Sequence, residues 1–134
     1  KKRAGRKFTI RSYQMSMTID YTSELKLVGC VTNEDFADVV KYVEWEIHFF
    51  ETSLPDNHSV GLVKTELDAD AITAESFVSF SEVTKSDILA WALEKQGGTE
   101  FLDTLLEAGH AGNLEEMFKV SQYTHKDLDL IPTD

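Results

Sequence analysis

Apolar and polar positions change their period once along this chain. From Tyr13 to Tyr21 they alternate, with Tyr13, Met15, Met17, Ile19 and Tyr21 on one face and Gln14, Ser16, Thr18 and Asp20 on the other. A period of two is that of a strand with one face buried. Phe8 and Ile10 have the opposite parity, which predicts a bulge or break near Arg11-Ser12. Thr22-Ser23-Glu24 reads as a turn, and Leu25 to Val31 as a second strand with Leu25, Leu27 and Val31 in register. Residues 36–50 satisfy two periods. Phe36, Val39, Val40, Val43, Ile47 and Phe50 fit a helix behind an Asn33 cap, whereas Val39, Val43, Trp45, Ile47 and Phe49 fit a strand. Val, Ile, Trp, Tyr and Phe are dense here, which favours a strand over about 39–51. Thr52 to Ser59, with Pro55-Asp56-Asn57, reads as a hairpin loop, and Val60 to Leu67 as the returning strand.

The second half takes the helical period. Thr84 is placed to cap a helix, with Asp87 three residues on and Ile88, Leu89, Ala92 and Leu93 as its apolar stripe. Gly97-Gly98 ends it. Thr99 is expected to cap a second helix carrying Phe101, Leu102, Leu105 and Leu106, stopping at Gly109. Asn113 is expected to cap a third, short helix with Leu114, Met117 and Phe118. Strands first and helices afterwards read as α+β. The prediction is an antiparallel β-meander of about four to five strands, followed by two to three short helices packed on one face or end. It divides into a basic N-terminal arm (1–11), a single α+β domain (12–123) and a C-terminal tail (124–134).

Composition changes this picture in one respect. The 134 residues fit one domain, at 42% hydrophobic and 28% charged. The net charge of −11 and a pI near 4.7 argue against a body that wraps nucleic acid by charge. The charge is split, however. Residues 1–11 hold six basic residues and no acid, and residues 12–134 hold 7 basic and 24 acidic residues, a net of −17. No apolar run reaches the roughly 18 residues that a spanning helix needs. The basic start lacks the apolar segment of a signal peptide. A lysine at position two does not ordinarily allow removal of an initiator Met, so the chain is expected to begin after the natural start.

Candidate chemistry is sparse. Glu66, Asp68 and Asp70 alternate like calcium ligands, but Ala71 and Phe77 in one register, or Thr73 and Ser79 in the other, stand where Gly and Glu are needed. A solvated acidic loop is the expectation. His48, His58, His110 and His125 show no i, i+4 pair of a helical zinc site. His110, after Gly109 in an inter-helix loop, is read as a loop or capping residue rather than a general base. Cys30 excludes an intrachain disulfide and is expected to be a small buried hydrophobe. Trp45 and Trp91 are expected in the core, Trp91 closing over the sheet edge. Asn57-His58-Ser59 matches a glycosylation acceptor, a three-residue pattern common by chance. No catalytic residues, cofactor or metal site is assigned. The candidate partner-binding residues are those of the arm: Lys1, Lys2, Arg3, Arg6, Lys7 and Arg11. Such an arm is expected to be held by a partner.

Val43 and Trp45 two apart on a strand, then Gly61, Phe77-x-x-Phe80, Val83-Thr84, Ile88 and Trp91 form a loose pattern over residues 39–96. It resembles a family of small uncharacterised proteins of tailed bacteriophages. The basic arm and the stretch from Thr99 to Asp134 depart from it. The resemblance implies a phage origin and carries no catalytic residues. Together with the charge split, it leads to the expectation of a non-enzymatic virion structural or assembly protein. It would dock on a capsid, neck or tail component, with the arm contacting a neighbouring subunit. Its partners would be proteins of the particle, including copies of itself. Nucleic acid contact by the arm is not favoured, and neither a membrane nor a small-molecule substrate is expected. Its location would be the virion, assembled in the bacterial host cytoplasm. The alternative is an acidic phage-encoded module that modulates a host protein. A small hydrolase or metal-dependent enzyme, which would need convergent polar groups in a pocket, is the third reading.

Overall fold

A computed structural model describes residues 8–12 and 15–134, with side chains from Met17 onward. Four antiparallel strands cross one sheet in chain order: β1 (Phe8–Ser12), β2 (Met15–Val31), β3 (Val39–Glu51) and β4 (His58–Glu66). Three helices follow, α1 (Lys85–Gln96), α2 (Thr99–Leu105) and α3 (Ala111–Ser121). The architecture is α+β with an antiparallel meander.

Two strands were expected from Tyr13 to Val31; Tyr13 and Gln14 lie outside the described residues, and Met15 to Val31 is one long strand. Thr22, Ser23 and Glu24 pair with His48, Ile47 and Glu46 instead of turning. The buried parity of Met17, Ile19 and Tyr21 runs on through Ser23 to Leu25, so polar Ser23 is a core-facing strand residue, itself buried. The register slips between Leu25 and Leu27, and again between Gly29 and Cys30. An extra residue in a strand reverses every later side chain. Val28 thus packs on the core, whereas Leu27 is 50% exposed and Val31 lies at the surface. Among the described residues from Met15 onward there are therefore three strands where four were expected. The fourth is β1, which lies mostly within the predicted arm. The bulge or break expected near Arg11-Ser12 is a break: β1 ends at Ser12 and pairs antiparallel with β2, Ser12 opposite Met15 and Phe8 opposite Ile19.

Residues 39–51 form a strand as expected, and Val43, Trp45, Ile47 and Phe49 are buried on one face. Ile88 and Ala92 of α1, Leu102 of α2, Leu106 just after α2 and Leu114 of α3 cover that face. Thr84 and Asp87 form the reciprocal cap of α1: the Asp87 amide donates to Thr84 Oγ1 and the Thr84 amide to Asp87 Oδ2, both at 3.1 Å. Gly97 ends the helix at φ +123°. The two other predicted caps are not made. Gly98 precedes α2, with Thr99 its first residue. Helix α3 begins at Ala111, and Asn113 lies inside it. Between them a π-helical turn at Leu106–His110 contains Gly109 at φ +149°. The last turns of α2 thus lead into α3 through a bend, where the sequence suggested a loop.

Candidate functional site

Three polar or concave places emerge from this frame. The first is a cavity of about 290 Å³ beside the start of β3. Val39, Val40 and Leu67 form one wall, Ile72, Phe77, Val78 and Val83 another, and Trp91 of α1 closes it. Trp91 is half-buried there rather than fully in the core. Asp38, Asp68 and Ser76 supply its polar lining. The loop ahead of β3 is built locally: Asn33 Oδ1 accepts from the amides of Asp35 (2.9 Å) and Phe36 (2.8 Å), so Asn33 caps a turn and not a helix. Asp38 takes the left-handed conformation at φ +56°, which Asp tolerates better than most residues. Its amide donates to Thr32 Oγ1 at 3.1 Å. Phe36 stacks on Phe77 with centroids 4.7 Å apart. An adjoining groove is lined by Phe36, Phe77 and Phe80 with Asp35 and Asp38.

The second place is under the bend between α2 and α3. Ser59 Oγ lies 2.7 Å from His110 Nδ1 and accepts from Asn113 Nδ2 at 3.0 Å. The Ser59 hydroxyl thus links His110 and Asn113, and the direction of its bond to His110 is set by the imidazole tautomer. The His110 ring also lies against Phe49 and over Gly61, where a Cβ would stand 3.1 Å from Nε2. Burial pushes the His110 pKa below its ordinary value, so the ring is neutral at pH 7. Ser59 is 4% exposed, and both of these hydrogen bonds are internal. This pair fastens the helical layer to β4. His110 was expected as a loop or capping residue; it instead ends the π-helical turn, makes no side-chain cap to α3, and packs on the sheet.

The third place is the sheet face away from the helices, where Glu24, Glu46 and His48 converge and His58 joins His48. Sequence reasoning missed this group. The i, i+2 spacing of Glu46 and His48 puts both on one strand face, a readable signal. Glu24 and His58 arrive only through the register of three strands.

Of the predicted arm, Arg11 falls in β1 opposite Ser16. Lys1, Lys2, Arg3, Arg6 and Lys7 lie outside the described residues. Cys30 is exposed, not buried; it lies near the end of β2, beside the second register slip, where Lys41 is the extra residue in β3. Partial burial, and then the nearby Asp38 charge, raise its pKa, the opposite of an activated thiol. Glu66 at the end of β4, and Asp68 and Asp70 after it, stay exposed. Among the described residues, no helix is long and apolar enough to cross a membrane.

Residues 18–125 match a family described as Domain of unknown function (DUF7936), and the chain belongs to that family. No curated protein and no solved structure matches it.

Proposed function

We propose that this chain is a structural or assembly protein of a phage particle that works by docking and not by catalysis. The observation that carries the docking reading is the apolar cavity walled by Val39, Phe77, Val83 and Trp91 and rimmed by Asp38 and Asp68. At about 290 Å³ it sits at the lower edge of small-molecule sites, which run from about 300 to 1,000 Å³. Its chemistry suits one apolar anchor residue of a protein partner, flanked by basic residues that meet the two carboxylates. The phage origin rests on the sequence resemblance, three of whose residues, Phe77, Val83 and Trp91, line this cavity. The partner is a capsid, neck or tail component. The basic arm reaches the acidic body of the next copy, a heterologous contact that closes rings or extends lattices.

Mass measurement of purified particles tests this reading. The expected result is this chain at a fixed copy number. Asp38→Asn with Asp68→Asn, and separately removal of residues 1–7, which leaves β1 intact, should each lower incorporation. Absence from particles, with recovery bound to a host protein, would replace it with the modulator reading.

A further inference from the structure

On the open sheet face, three metal-ligating side chains converge, and a fourth group holds one of them in place. Glu24 and Glu46 are register partners on β2 and β3, and His48 lies two residues beyond Glu46. His48 Nε2 lies 3.0 Å from Glu46 Oε1 and 3.8 Å from Glu24 Oε1. On its other side, His48 Nδ1 is 3.2 Å from His58 Nδ1. His58 Nε2 in turn is 2.7 Å from the Pro55 carbonyl.

The Pro55 carbonyl only accepts, so His58 Nε2 donates to it, and His58 Nδ1 is the ring atom that meets His48 Nδ1. That leaves His48 Nε2 as the ring atom turned toward the two carboxylates.

We propose that Glu24, Glu46 and His48 form a divalent transition-metal site, with Glu24 Oε1, Glu46 Oε1 and His48 Nε2 as ligands. The ligand atoms already lie within 4.8 Å of one another. Bonds of about 2.0–2.2 Å to one ion bring such atoms to roughly 3–3.5 Å apart. Only Glu24, whose side chain is 47% exposed and free to change rotamer, must move inward. One imidazole and two carboxylates suit Zn²⁺ or Mn²⁺ and not Ca²⁺ or Mg²⁺, which take oxygen ligands. A ligating histidine normally passes its other N–H to a fixed acceptor, and here His58, held by Pro55, is that acceptor. Lys26 approaches only the other Glu24 oxygen, at 4.0 Å. Three protein ligands leave a fourth position open, for water or a donor from a partner. The proposal does not depend on the virion reading.

Zinc titration of the purified full chain, with a chromophoric chelator as competitor, tests the site. The expected result is one saturable Zn²⁺ per chain. His58→Ala should weaken it by about 10- to 100-fold, the usual effect of losing the partner of a ligating histidine. His48→Ala and Glu46→Gln should weaken it at least as much, with unchanged circular dichroism. Imidazole nitrogen shifts in the unmodified protein give a second reading, with Zn²⁺ moving His48 Nε2 and leaving His110 in place. Failure of the unmodified chain to bind saturably would mean that Glu24, Glu46 and His48 hold no ion. Binding unaffected by His48→Ala, or no shift at His48 Nε2, would put any ion elsewhere. Either result overturns the site.

Discussion

Thr65 sits on the core face of β4 and takes two donors on one hydroxyl: Trp45 Nε1 at 3.0 Å and Gln96 Nε2 at 2.8 Å. It joins the central strand, the last strand and the end of α1, and it is buried. Thr65→Val keeps the shape and strands the indole N–H of Trp45. A buried donor left unpaired costs about 1–3 kcal/mol, so urea denaturation should show a loss of that size, and a loss near zero would show that water reaches the indole. His110 makes a different prediction. Its pKa is lowered by burial in the folded chain, so the unfolded chain binds a proton more readily. Its contribution is full above the ordinary histidine value of about 6.5 and is lost as pH falls through its lower folded value. The stability advantage of the native chain over His110→Ala should therefore shrink between pH 7.5 and pH 5. A constant difference would mean that the ring stays solvated. Neither Thr65 nor His110 stands out in the sequence, because a hydroxyl or an imidazole acquires its role from what folds against it. Trp45 does stand out, as the large apolar residue in the middle of the strongest strand, and it is buried as read.

Elements were most legible where a local signal bounded them. The reciprocal cap at Thr84 and Asp87 and the glycine stop after Gln96 delimit α1 within single residues. Thr84→Ala should cost about 1 kcal/mol. Gly97→Ala, at φ +123°, should cost about 1–3 kcal/mol because that backbone region is strained for any residue with a Cβ. Thermal melts of the two variants check both, and a Gly97→Ala loss of zero would mean that the chain re-terminates the helix elsewhere. Strand β2 was less legible. Polar Thr22, Ser23 and Glu24 look like a turn, yet pairing with β3 satisfies their backbone and carries the strand through. The bulge at Lys26 depends on the partner strand, and it decides that Val28 and not Leu27 meets the core. The caps of α2 and α3 were misread for a related reason. Asn113 is recruited by Ser59, 54 residues away, instead of by its own helix terminus.

The molecule as a whole carries its charge in two parts, six basic residues in the first eleven and a net of −17 beyond them. If the arm of one copy docks on the body of the next, the contact is screened by salt over a Debye length of about 10 Å at 0.1 M. The mean mass in light scattering should then fall as salt rises, and removal of residues 1–7 should abolish the concentration dependence. A mass that is independent of both salt and truncation would remove the arm from the proposed assembly.

The linear order of residues was enough for the α+β class, the strand at 39–51, the extent of α1 and the charge split, because period, capping and composition are properties of neighbours along the chain. The length of β2, the exposure of Cys30 and Leu27, the cavity under Trp91, the Ser59–His110 fastening and the meeting of Glu24, Glu46, His48 and His58 came from folding alone. Each depends on register between strands or on a helix packing against a sheet, and a shift of one residue across a strand pair reverses which side chains meet.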